Sequence, residues 1–226
     1  MTSAPTVAPS RFLSKAVWAG AIFLALFGIA AAVLRSIQLA KGPGTGIRAQ
    51  TNVGFAHHSV LTLIHIIPGT LFMILAPLQF SSRLRAGAPR VHHWIGRTVI
   101  VLALVIGIAA LSMSFQMAIG GINEIAATVL FDLLFLFCLL KGYFCALRRD
   151  FVHHREWMIR MFGIALGIGT TRPVMGVFFA TSRLTHLTPK QFFGTAFWIG
   201  FTVTLIAAEG WVNYTRSRGS PVSVGG

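Results

Sequence analysis

Six stretches of the chain run for about twenty residues with almost no charge, and a helix needs about 20 apolar residues to cross the hydrocarbon core of a bilayer. They are Ala16–Leu34, Ser59–Phe80, Thr98–Ile119, Ile125–Leu147, Met158–Ser182 and Gln191–Tyr214. Inside lipid every backbone N–H and C=O must be paired, which leaves helices as the form such runs adopt. Only 11% of the residues are charged, against roughly 25% in soluble domains, so there is too little polar surface for a water-soluble fold. The expectation is an all-α, polytopic integral membrane protein, a six-transmembrane-helix bundle forming a single membrane domain over residues 1–226. The first run holds 19 uncharged residues, more than the ~7–15 of a signal-peptide core, which favours an uncleaved span.

The 19 Lys+Arg against 5 Asp+Glu give a formal charge of +14. The basic residues sit in short connections and form no extended basic domain, so nucleic acid is excluded as a partner. A basic rim facing an anionic cytoplasmic leaflet accounts for them. With the N-terminus inside, the cytoplasmic segments hold twelve Lys/Arg (Arg11 and Lys15; Arg83, Arg85, Arg90 and Arg97; Arg148, Arg149, Arg155 and Arg160; Arg216 and Arg218). The outer segments hold five (Arg35, Lys41, Arg48, Arg183 and Lys190). That asymmetry places both termini in the cytoplasm. Lys41–Gly54 and the tail from Ser217 are rich in Gly, Ser or Pro and read as mobile connections. Cys138 and Cys145 lie seven residues apart on one run, ~10 Å along a helix, too far for a disulfide.

Ionisable groups within spans are costly, and each is by default a candidate functional residue. Depth sorts them into two layers. The outer layer holds His65, Asp132 and Arg172, with Pro68 and Pro173 close by. One reading is an Asp132–Arg172 ion pair pinning two helices with His65 nearby; the other is a binding role for the same three residues. The inner layer holds His92, His93 and Arg97 opening the third span, Lys141, then His153, His154, Glu156 and Arg160 opening the fifth, and Glu209 in the sixth. Spans three and five run in the same direction, so the two His-His-Arg groups arrive at similar depth.

Imidazole is the commonest metal ligand and an axial ligand of haem. A b-type haem between two helices takes one imidazole from each, and arginines hold its propionates. On this reading His93 and His154 bind haem b or a transition metal, Arg97 and Arg160 hold the anionic groups, His65 is a third ligand or proton relay, and Glu209 steadies an imidazole. A haem- or metal-binding protein of electron transfer or cofactor handling is the leading expectation. A small proton-coupled transporter working through Asp132, Arg172 and His65 is the alternative, and a structural or assembly subunit of a membrane complex, or a homo-oligomer, is the third. No G-x-S-x-G elbow is present, and an independent enzymatic activity is not expected.

Four short stretches carry a resemblance. They are "HIIPG" (His65, Gly69), "LQF" (Gln79, Phe80), "HWIGR" (His93, Gly96, Arg97) and "HREWMIR" (His154, Trp157, Met158, Arg160). Together they resemble a family of bacterial predicted membrane proteins of unassigned function, whose pattern is His-x-x-x-Gly, Gln-Phe, His-x-x-x-Gly-Arg and His-x-x-Trp-Met-x-Arg. Glycine follows His93 by three residues where the pattern has four. The resemblance covers His65 to Arg172, singles out His65, His93 and His154, prefers His154 over His153, and implies a bacterial inner membrane. The size and paired histidines are also similar to six-helix b-type cytochromes, an architectural likeness alone.

Overall fold

The computed structural model describes residues 10–42 and 47–217, and the tail from Arg218, read above as mobile, lies outside them. The described residues form eight helices and no strand: α1 (Arg11–Lys41), α2 (Ile47–His57), α3 (Ser59–Gln79), α4 (Ser82–Gly87), α5 (Pro89–Met117), α6 (Gly121–Leu147), α7 (Phe151–Thr185) and α8 (Pro189–Ser217). Six of them, α1, α3, α5, α6, α7 and α8, are long and apolar enough to span a membrane. They coincide with the six apolar runs, and all but α3 extend beyond the run at one end or both. Their ends are polar turns held by capping: Ser10 Oγ accepts from Leu13 N–H at 3.1 Å, and Asp150 Oδ1 from His153 N–H at 3.2 Å. Proline opens α5 and α8, where its missing N–H costs nothing. Part of Lys41–Gly54, expected as a loop, is helical in α2.

An even number of spans returns the chain to its starting side, and Ser10 N–H donates to Tyr214 Oη at 3.2 Å, so α1 begins where α8 ends. This is called the terminal end below, and the other the far end. Aliphatic and aromatic residues such as Ile67, Ile108, Phe115 and Ile206 are more than half exposed, as lipid-facing side chains are. The core is filled by Phe72, Val99, Phe135, Leu139, Met161 and Phe162, with Phe72 meeting Phe135 edge-on at 6.0 Å. The two long C-terminal helices meet through small residues. A Cβ on Gly163 would fall 2.5 Å from the Cβ of Ala208, the close approach that small-xxx-small faces permit. α1 is the outlying helix: it packs on α3 and α7 and buries only Ala25. Its inner face and the start of α6 therefore leave space within the bundle.

Candidate functional site

That space is a cavity of about 230 Å³, lined by residues of α1, α2, α3, α5, α6, α7 and α8. Its walls are mainly apolar, and its polar groups are few: Arg35, His65, Thr70, Ser114, Glu124, Thr128, Asp132 and Arg172. It lies toward the far end, since Arg35 is six residues from the end of α1 and Glu124 is in the first turn of α6. Pro68 sits inside α3 next to lining residue Gly69, and Pro173 inside α7 next to Arg172. Each proline removes an N–H from its helix and leaves a carbonyl one turn back to be satisfied otherwise.

The ionisable side chains of the cavity differ in what holds them. His65 Nδ1 lies 3.2 Å from the carbonyl oxygen of Ile106. A carbonyl only accepts, so Nδ1 carries the proton and Nε2 keeps its lone pair. Arg35 donates from Nη1 to Asn52 Oδ1 and stands 3.9 Å above the ring of Phe55. Glu124 Oε2 accepts from the backbone N–H of Gly120 at 2.6 Å. Among the described residues Arg172 reaches only the sulfur of Met175, at 4.0 Å. Its Nε and Asp132 Oδ2 are buried without a hydrogen-bond partner.

Among the described residues no ion pair joins Asp132 to Arg172, so the pinning pair considered from sequence does not form. The charge of Arg172 acts instead on Arg35, His65 and Glu124. His65, Asp132 and Arg172 do share one cavity, as their common layer suggested. Arg35 and Glu124 are additions. Arg35 was counted as a loop charge because the first apolar run stops at Leu34, but α1 continues to Lys41 and carries it inside. Glu124 was left just before the fourth run, and α6 begins three residues earlier.

The terminal end is built differently. Arg160 donates from Nε and Nη2 to both oxygens of Glu209, at 2.5 and 3.0 Å, and lies 3.8 Å from Glu156. Glu156 also takes two hydrogen bonds from Arg216. Glu209 therefore holds Arg160 and not an imidazole, and Arg160 is engaged by two carboxylates and stacked on Trp157 at 4.8 Å, not free for a propionate. Arg97 is exposed and lies over Trp94 at 5.7 Å.

His93, expected to face inward, is exposed, and its neighbour His92 is the partly buried member. His93, Arg85 and His154 all stand close enough to act on His92 electrostatically. His154 is also partly buried, and its Nδ1 donates to the carbonyl of Gly142 at 2.8 Å. His92 Nδ1 and Gln79 Nε2 are buried without partners, and Gln79 Oε1 sits against Gly96, 3.1 Å from where a Cβ would be. The spacing already held this hint, because His92 precedes Gly96 by the four residues that the His-x-x-x-Gly-Arg pattern requires and His93 does not. His153 is exposed and tied to Asp150 at 2.7 Å. His65, in the cavity, does not join His92 and His154: among the described residues no three His, Cys, Asp or Glu side chains are grouped to hold a metal ion. Both cysteines are free thiols.

The family model described as "Predicted membrane protein (DUF2306)" matches residues 62–212, two-thirds of the chain. No curated protein and no solved structure matches.

Proposed function

We propose, for a chain that belongs to the predicted membrane protein family DUF2306, that it binds a small molecule in the cavity between its helices and acts as a carrier for it. The carrying observation is the pair of buried, unpartnered atoms Asp132 Oδ2 and Arg172 Nε on one cavity's walls. A bundle serving only as scaffold gains nothing from polar groups left unpaired in a low-dielectric interior. A mostly apolar pocket with a few convergent polar groups is the usual form of a ligand site. His65, with a free Nε2, and Asp132 are groups that exchange protons with a ligand or with water, which supports proton coupling. Two proline-interrupted helices lining the same site, α3 and α7, add to this reading. The excess of Lys/Arg on the terminal side supports both termini being cytoplasmic, in the bacterial inner membrane that the sequence resemblance implies.

Gly69 offers the direct test. A Cβ added there meets nothing within 4 Å, so the side chain of Gly69→Leu starts in open space on the cavity wall and takes up cavity volume. Native mass spectrometry of the detergent-released protein is expected to find a retained small molecule in wild type and none in Gly69→Leu. Equal retention in both, at equal thermal stability, contradicts the reading.

A second reading rests on a separate observation. His154 is fixed through Nδ1 so that Nε2 is the free nitrogen, the posture of an axial ligand, and the partly buried His92 is within its electrostatic reach. These two residues, with Arg85 as the nearby cation, would hold a b-type haem, whose chemistry is one-electron transfer. A Soret band with sharp reduced α and β bands, lost in His92→Ala and kept in His93→Ala, is the result this reading expects. A spectrum free of haem, from cells supplied with it, sets it aside.

A further inference from the structure

Resting on the cavity reading, we infer that the ligand is a single-chain amphiphile carrying one acidic head group, seated with that group between Arg172 and Arg35. The two guanidiniums line the same cavity, and the charge of Arg172 is felt at Arg35. Neither forms an ion pair among the described residues. Two cations held together in a low-dielectric space repel one another unless an anion lies between them. The planar forks of arginine suit a carboxylate or phosphate. Arg172 keeps Nε without a partner for that purpose. Arg35 is presented by its stacking on Phe55 and its hydrogen bond to Asn52, which fix its position without neutralising it.

The acids of the cavity do not fill this role. Glu124 is near enough to Arg172 to be felt, but one of its oxygens is taken by the Gly120 N–H at 2.6 Å, and it makes no ion pair with either arginine among the described residues. Asp132 makes no ion pair with either arginine among the described residues. Its presence on the wall has a consequence for specificity: ionised, it repels a second acidic group, so a ligand with one head is favoured over a dicarboxylate. Away from the arginines the wall is Ile66, Phe72, Met73, Met113, Phe131 and Phe135, suited to an aliphatic body. Volume limits that body. The cavity is about 230 Å³, below the ~300–1,000 Å³ of sites for drug-sized ligands, which suits a medium-length single chain.

The test uses the full chain in nanodiscs and measures equilibrium binding of octanoate, octyl phosphate, octanol and octylammonium, with empty nanodiscs subtracted. Octanoate or octyl phosphate is expected to bind at least tenfold more tightly than octanol, and octylammonium not at all. Whichever acid binds more tightly names the head group. Gly69→Leu is expected to abolish binding, while Arg172→Gln removes the preference for the acid and leaves octanol unchanged. Arg35→Gln gives the same readout should Arg172→Gln fail to fold. Equal binding of octanol and octanoate, both lost in Gly69→Leu, overturns the acidic head and leaves the cavity reading standing. Binding of every probe that ignores Gly69→Leu overturns both.

Discussion

The two ends of the bundle handle charge in opposite ways. The chain has five acidic residues. Three of them lie at the terminal end and each has a cationic partner: Asp150 with His153, Glu156 with Arg160 and Arg216, Glu209 with Arg160. The other two, Glu124 and Asp132, lie on the cavity wall with Arg35 and Arg172, and no ion pair forms there among the described residues. Both regions carry acids and arginines. The difference is geometry, since the terminal-end arginines have carboxylates one helix turn away or on the neighbouring helix, and the cavity holds its charges apart. A network of satisfied charges registers α7 against α8. Charges kept apart around a void store an unmet demand that a ligand can meet.

This contrast breaks first at Glu156. Its side chain is 7% exposed, and removing it in Glu156→Ala leaves Arg160 with one partner fewer and takes away the acceptor of two hydrogen bonds from Arg216. The expected loss is on the order of 2–3 kcal/mol, less than for a fully buried pair because Arg216 is half exposed and screened. It would be read as a large fall in melting temperature in detergent. Asp132→Asn should do the reverse. It removes a buried charge that has no ionic partner, so the melting temperature is expected to stay level or rise while ligand binding falls; a fall as large as that of Glu156→Ala would put Asp132 in the structural class.

Gly69→Leu sharpens the same point without touching a charge. Leucine is a better helix former than glycine by roughly 0.5–1 kcal/mol, and its side chain starts in open space, so stability should hold or increase as the cavity function is lost. The smallest effect is expected at Asp150. The hydrogen bond from the His153 backbone N–H, then that residue's ring, holds its carboxyl below the usual carboxylate range. A lowered value means stability that is present at neutral pH and lost as the pH falls through it. Because Asp150 is exposed at the helix cap, the change should be slight, and Asp150→Asn, which still caps, should melt close to wild type at pH 7.

The spans were legible because hydropathy acts over twenty residues and averages out local ambiguity. What the sequence obscured were choices made by a single residue. His92 and His93 are adjacent, and neighbouring side chains on a helix point roughly 100° apart. Composition treats them alike, and only the packing of α5 against α3 and α6 selects His92; the spacing to Gly96 was the one local sign. Arg35 and Glu124 were hidden by boundaries, since an apolar window stops at a charge while the helix does not. The pairing of Arg160 with Glu209 joins positions 49 residues apart, a contact that two separate hydropathy runs do not encode. Conversely, the shared depth of His65, Asp132 and Arg172 followed from counting along helices, because rise per residue is fixed.

The most direct measurement is a double-mutant cycle on thermal stability joining Asp132→Asn with Arg172→Gln, alongside one joining Arg160→Gln with Glu209→Gln. Groups that share no contact are expected to be additive within about 0.5 kcal/mol. The account predicts that result for Asp132 and Arg172, and clear coupling for Arg160 and Glu209. Coupling between Asp132 and Arg172 as large as that between Arg160 and Glu209 would mean that the cavity charges are a structural pair, and would contradict the account.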